Sequence, residues 1–170
     1  MDVKLTSLLL SLVPFVAPAT EVDLYRDYVE ESIDKYEVVM TKCRARRDDP
    51  VSQADKEKLK ALPEEAQSDV IYYLYNKALF ECHQPGYAKL AAALIWYDNL
   101  KNGKKDYRGY RMVLEDESRF YFEAKAAFDG YPLSVRQAAM DIERLKHPFN
   151  VIDVHEAVVR PYTSVELHKD

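Results

Sequence analysis

Residues 64–82, Glu64-Glu65-Ala66-Gln67-Ser68-Asp69-Val70-Ile71-Tyr72-Tyr73-Leu74-Tyr75-Asn76-Lys77-Ala78-Leu79-Phe80-Glu81-Cys82, fix the fold class. Val70, Ile71, Leu74, Tyr75, Ala78, Leu79 and Cys82 recur at three- and four-residue steps, the spacing of one face of an α-helix. Pro63 stands just before the run, at a first-turn position where its missing N–H costs nothing, and Glu64, Glu65 and Asp69 suit the positive end of the helix dipole. Gln84-Pro85-Gly86 is expected to end this helix. Tyr72, Tyr73 and Tyr75 cannot all share its apolar face, so at least one is expected at the surface.

The same periodicity extends in both directions. Upstream, Leu24, Tyr28, Val29, Ile33, Tyr36, Met40 and Cys43 mark a helix from Asp23 to about Arg47, closed by Asp49-Pro50. Ser52 caps a short helix over Gln53 to Leu62. Downstream, Tyr87 to about Leu100 reads as a separate helix with Leu90, Leu94 and Tyr97 on one side, stopped at Asn102-Gly103. Asp106 to Phe128 reads as one long helix closed by Gly130-Tyr131-Pro132. Ser134 and Gln137 form an S-x-x-Q capping box for a helix to about Lys146. Val151 to Val159 suits either a strand or a helical turn. The expected fold is all-α: a single domain of five or six amphipathic helices, as a bundle or as stacked helical hairpins. Lys77-Ala78-Leu79-Phe80-Glu81 and Lys125-Ala126-Ala127-Phe128-Asp129 echo each other 48 residues apart, the cue for stacked hairpins. Four glycines in 170 residues is too few for a turn-rich β fold.

Residues 1–19 read as a secretory signal peptide. Lys4 precedes an apolar run from Leu5 to Ala17, and Ala17-Pro18-Ala19 is a small-x-small cleavage site. The run is shorter than the ~20 residues a membrane span requires. Cleavage between Ala19 and Thr20 leaves a helical domain over 20–160, a loose tail over 161–170 and no stable membrane insertion. The expected location is the periplasm or the outside of the cell. There Cys43 and Cys82, the two cysteines, are expected to pair. The closed loop of about 40 residues is worth roughly 4 kcal/mol in the chain-entropy account.

Net charge is −5, and losing Lys4 together with Asp2 leaves it there. An acidic chain lacks the basic footprint that nucleic acid requires. No G-x-S-x-G, phosphate loop or C-x-x-C is present. His83, His147, His155 and His168 lack metal-ligand spacing, so neither metal nor cofactor is expected. Glu117 falls on an apolar stripe beside Phe120-Tyr121-Phe122. Held among aromatics it would serve as the general acid of a cell-envelope polysaccharide hydrolase; the plainer reading pairs it with a buried tyrosine or an arginine. Lys101, Lys104, Lys105, Tyr107, Arg108 and Arg111 form a basic, tyrosine-containing patch suited to a partner of opposite charge. Thirteen tyrosines, apolar in the ring and polar at the tip, favour interfaces. The expectation is therefore a non-enzymatic module that binds another protein, as an inhibitor, immunity factor or accessory subunit. A small-molecule or lipid carrier is the third reading.

Overall fold

The computed structural model describes residues 20–101 and 106–159, with the Lys101 side chain outside that set. Six α-helices follow in order: α1 (Glu21–Ala45), α2 (Gln53–Lys60), α3 (Glu64–Lys101), α4 (Arg108–Asp129), α5 (Leu133–Met140) and α6 (Val151–Val158). Short 3₁₀ turns occupy Arg46–Asp48 and Glu143–Lys146. No strand occurs among the described residues, so Val151 to Val159 resolves as helix, capped by Asn150. The proposed signal peptide, its Ala19 and the tail over 161–170 lie outside the described residues, as do Asn102 and Gly103.

The expected break at Gln84-Pro85-Gly86 does not occur. α3 runs unbroken for 38 residues, about 57 Å at 1.5 Å per residue. Proline inside a helix removes a donor and leaves the carbonyl four residues back without its partner. Here Pro85 and Glu81 are both exposed, so the gap in the hydrogen-bond ladder lies on the solvent side of the helix. Packing on either side of the proline holds the helix together.

The buried face of α3 changes side along its length. Ala66, Val70, Leu74, Ala78, Cys82, Gly86, Leu90 and Leu94 are all buried or half-buried, at strict four-residue steps. Four residues overshoot one helical turn by about 40°, so this row winds more than half-way round the helix. Exposure turns with it, from Ser68 and Tyr72 in the first half to Ala88, Ala92, Ile95 and Asn99 in the second. α3 consequently serves two separate apolar clusters. The first gathers Leu59, Val70, Ile71, Leu74, Phe128, Ile142, Leu145 and Phe149 from α2, α3, α4 and the C-terminal segments. The second gathers Val29, Ile33, Tyr36, Leu90, Leu94, Tyr97 and Leu114 from α1, α3 and α4.

α1 and α4 both pack antiparallel to α3. The disulfide Cys43–Cys82 (Cα–Cα 6.0 Å) joins the end of α1 to the middle of α3, not to its end. Four residues on, Gly86 meets the α1 backbone: a Cβ there would stand 3.1 Å from the Tyr36 Cα and 3.3 Å from its ring. α4 begins at Arg108, two residues later than expected, because Tyr107 takes a left-handed conformation at its N-cap (φ 59°). Its ring edge on Tyr97, centroids 5.5 Å apart, holds it there.

The expected capping box at Ser134 is absent. Pro132 is the N-cap of α5, which places Ser134 inside the first turn, and α5 stops at Met140. Two sets of side-chain hydrogen bonds hold the connections. Gln67 Nε2 donates to the carbonyls of Lys60 and Leu62, tying α2 to α3. The Arg144 guanidinium donates to the carbonyls of Arg46, Asp49, His147 and Pro148, clamping the C-terminal segment to the end of α1. The two echoed segments each form an i,i+4 ion pair, Lys77–Glu81 and Lys125–Asp129. One lies mid-helix and the other at a helix end, so the echo is not a structural repeat.

Gly86→Val should lower stability by about 1–3 kcal/mol, the usual cost of overpacking, because the disulfide prevents α1 from backing away. Denaturant titration of the oxidised protein checks this. An unchanged midpoint would mean that the helices do not meet closely at that position.

Candidate functional site

Glu117 lies where the two apolar clusters adjoin. Its Oε1 accepts from the Tyr36 hydroxyl at 2.9 Å and faces His83 Nδ1 at 3.0 Å. A carboxylate oxygen only accepts, so the imidazole proton is on Nδ1. Tyr36 and His83 are almost wholly buried, and their rings meet edge to face at 6.2 Å. Tyr87, one turn beyond His83 on α3, hydrogen-bonds Ser118, the residue after Glu117 on α4, at 2.5 Å. His83 Nε2 and Glu117 Oε2 are buried with no protein partner. Burial and the neighbouring Glu117 charge both push the Tyr36 phenol above its ordinary value, and burial raises Tyr73 to about 12.

This arrangement ties one helix to two others: α1 gives Tyr36, α3 gives His83, and α4 gives Glu117. Hydrolysis of a glycoside by paired carboxylates requires a second one within roughly 5–9.5 Å. The hydrogen-bond partners of Glu117 are a phenol and an imidazole. The plainer sequence reading named a tyrosine as its partner, but nothing there pointed to His83. Its position beside Cys82 was the one available signal.

The proposed basic patch is dispersed among different roles. Arg111 is mostly buried in an ion pair with Asp98 (2.5 Å). Tyr107 turns inward, its hydroxyl donating to Glu30 at 3.3 Å, and Arg108 is exposed. Lys104, Lys105 and the Lys101 side chain lie outside the described residues. No group of three or more His, Cys, Asp or Glu side chains is placed to hold a metal among the described residues.

The same end of the bundle carries an apolar surface that the sequence reading missed. Cys43 opposite Cys82, Tyr36 against Gly86 and Arg26 hydrogen-bonded to Tyr97 set the register of α1 on α3. That register sets Leu24 and Tyr28 across from Trp96 and Leu100. All four are exposed, Leu24 by 59% and Trp96 by 58%. Lys89 caps the seam, its Nζ 5.6 Å above the Tyr28 ring. Trp96 is the chain's single tryptophan. Large aromatics at such exposure are the residues that anchor interfaces.

Together these features define a disulfide-linked, all-helical domain organised on one long central helix. No family model, curated protein or solved structure matches the chain. Among the described residues no helix is long and apolar enough to cross a membrane.

The raised phenols make stability fall in alkali. A group whose folded value exceeds its unfolded one, near 10 for tyrosine, stabilises the fold below pH 10 and loses that contribution as pH climbs through the folded value. Stability should therefore decline between pH 10 and 12, by up to about 1.4 kcal/mol per pH unit for each buried phenol. Tyr36→Phe should flatten that slope. At neutral pH it should also cost about 1–3 kcal/mol by removing a donor from a partly buried carboxylate. Urea midpoints across the pH series read both effects; a slope unaffected by the substitution would contradict the assignment.

Proposed function

We propose that this is an exported, non-enzymatic helical protein that binds another protein through the α1–α3 seam. The observation behind this reading is the exposed stripe of Leu24, Tyr28, Trp96 and Leu100. An aromatic anchor in such a stripe contributes about 2 kcal/mol or more when a partner covers it. The exposed Arg108 side chain would supply a basic group at the same end of the bundle.

Export is supported by two features. The Cys43–Cys82 bond belongs to an oxidising compartment, the periplasm or the cell exterior. Thr20, first residue after the small-x-small site, is the N-cap of α1. Its Oγ1 accepts from the Asp23 N–H, and the Asp23 carboxylate accepts from the Thr20 N–H. A cut after Ala19 leaves this capping box whole and places a positive amine against an acidic side chain.

Intact mass of the native protein should show Thr20 as the first residue and a mass two hydrogens below that of the reduced form. Retained Met1 would favour a membrane anchor over a cleaved leader. A photo-reactive side chain at position 92, beside the seam, should give a discrete adduct with one protein in the native extract. Trp96→Asp should reduce that adduct tenfold or more, while Glu117→Gln should leave it intact in any variant that still folds. An adduct indifferent to Trp96→Asp would overturn the binding surface. Polysaccharide cleavage by the wild type, abolished by Glu117→Gln, would establish the hydrolase reading instead.

A further inference from the structure

A second surface lies at the opposite end of α3, where α6 packs antiparallel beside it. Between them is a cleft of about 410 Å³, within the range of ligand pockets. Its floor is Ile71, fully buried, with Val151; its lips are Tyr72, 44% exposed, and Ile152, 64% exposed. α6 already buries Val154 and Val158 in the core, so the Ile152 side chain adds nothing there. Ser68 Oγ and His155 Nε2 approach at 3.4 Å across the middle. Ser68 is exposed and His155 half-buried, and the pair serves here as part of the cleft wall.

Two further clefts continue this one. The first shares Glu156 and opens beside the N-terminus of α3; the second shares Val151 and Ile152 and reaches Tyr75. The groove thus follows α3 from Glu64 to Tyr75, about 16 Å, the span of roughly five extended residues. The charged side chains lining its central part are the acidic Asp69 and Glu156; the end clefts add Glu64 and Asp48 together with two cations, Arg47 and Lys60, the latter ion-paired with Glu57. Exposed Glu65 and Asp153 stand nearby on the same two helices.

We infer that the α3–α6 groove docks a short peptide segment of another protein, one with a bulky apolar residue flanked by lysine or arginine. The apolar side chain enters between Tyr72 and Ile152, and its cationic neighbours meet Asp69 and Glu156. The carboxylates beside the apolar floor at the centre of the groove select this occupant on charge: a peptide with acidic flanks would meet like charges there, which cost binding energy at close range. The groove is independent of the α1–α3 seam, so the two assignments stand or fall separately.

Fluorescence anisotropy tests this with the mature, oxidised protein and a fluorescein-labelled Gly-Lys-Leu-Phe-Lys-Gly peptide, alongside its Gly-Glu-Leu-Phe-Glu-Gly counterpart. The basic peptide should bind saturably and at least tenfold more tightly than the acidic one. Ile152→Asp and Tyr72→Ala should each weaken it tenfold or more, and Glu156→Lys should shift preference toward the acidic peptide. Trp96→Asp should change nothing. Circular dichroism confirms that each variant is folded, and Glu156→Lys, at an exposed position, keeps the test available should Ile152→Asp not fold. No saturation up to about 1 mM, equal affinity for the two peptides, or indifference to both Tyr72→Ala and Glu156→Lys would overturn the assignment.

Discussion

Eight residues at four-residue steps along α3, Ala66 to Leu94, determine how the rest of the chain is arranged. A repeat of 3.6 would keep one face buried and yield a single core on one side. A repeat of four advances around the helix, so the N-terminal half of α3 buries one side and the C-terminal half the other. α2, α5 and α6 cover the first half and α1 covers the second, while α4 lies along both. Neither cluster closes without α3, and each half of α3 needs the helices against it.

Where the two clusters meet, the molecule has covalent and polar ties in place of more apolar packing. The Cys43–Cys82 bond, the close approach at Gly86 and the Tyr36–Glu117–His83 hydrogen bonds fall within about two turns of α3. Pro85 falls in the same stretch. A proline inside a helix costs ~3 kcal/mol, comparable to what a disulfide closing a loop of this length supplies. Polar contacts here also specify register: an α1 slipped by one residue would leave the Glu117 carboxylate without its phenol. The Tyr36 and His83 contacts give Glu117 a structural role as an acceptor, and the apolar seam and the α3–α6 groove lie at opposite ends of α3.

The all-helical class, the disulfide and most helix starts were legible from side-chain period and capping chemistry. Ser52 caps as expected, and Tyr72 is the exposed member of its tyrosine group while Tyr73 is buried. The largest error came from reading Gln84-Pro85-Gly86 locally. Proline and glycine usually punctuate, but here the glycine serves a tertiary contact and the proline lies on the solvent side. Reading Val70–Cys82 and Leu90–Tyr97 as one row of fours would have joined the two helices. At Ser134, proline two residues earlier took the cap position that the S-x-x-Q pattern suggested for serine. The seam at Trp96 was beyond sequence reasoning, because its exposure depends on where α1 lies. Tyr107 and Arg111 were legible as neighbours of a basic loop, but their burial follows from contacts with Tyr97 and Asp98 that sequence spacing does not encode.

The continuity of α3 through Pro85 is the claim on which this description depends. Pulsed electron–electron resonance between spin labels at exposed positions 68 and 99, introduced through unnatural amino acids so that the disulfide is untouched, measures it directly. A single helix predicts a narrow distribution near 45 Å, from 31 residues at 1.5 Å each. A distance below about 25 Å, as for two antiparallel helices hinged at Gln84-Pro85-Gly86, would contradict it.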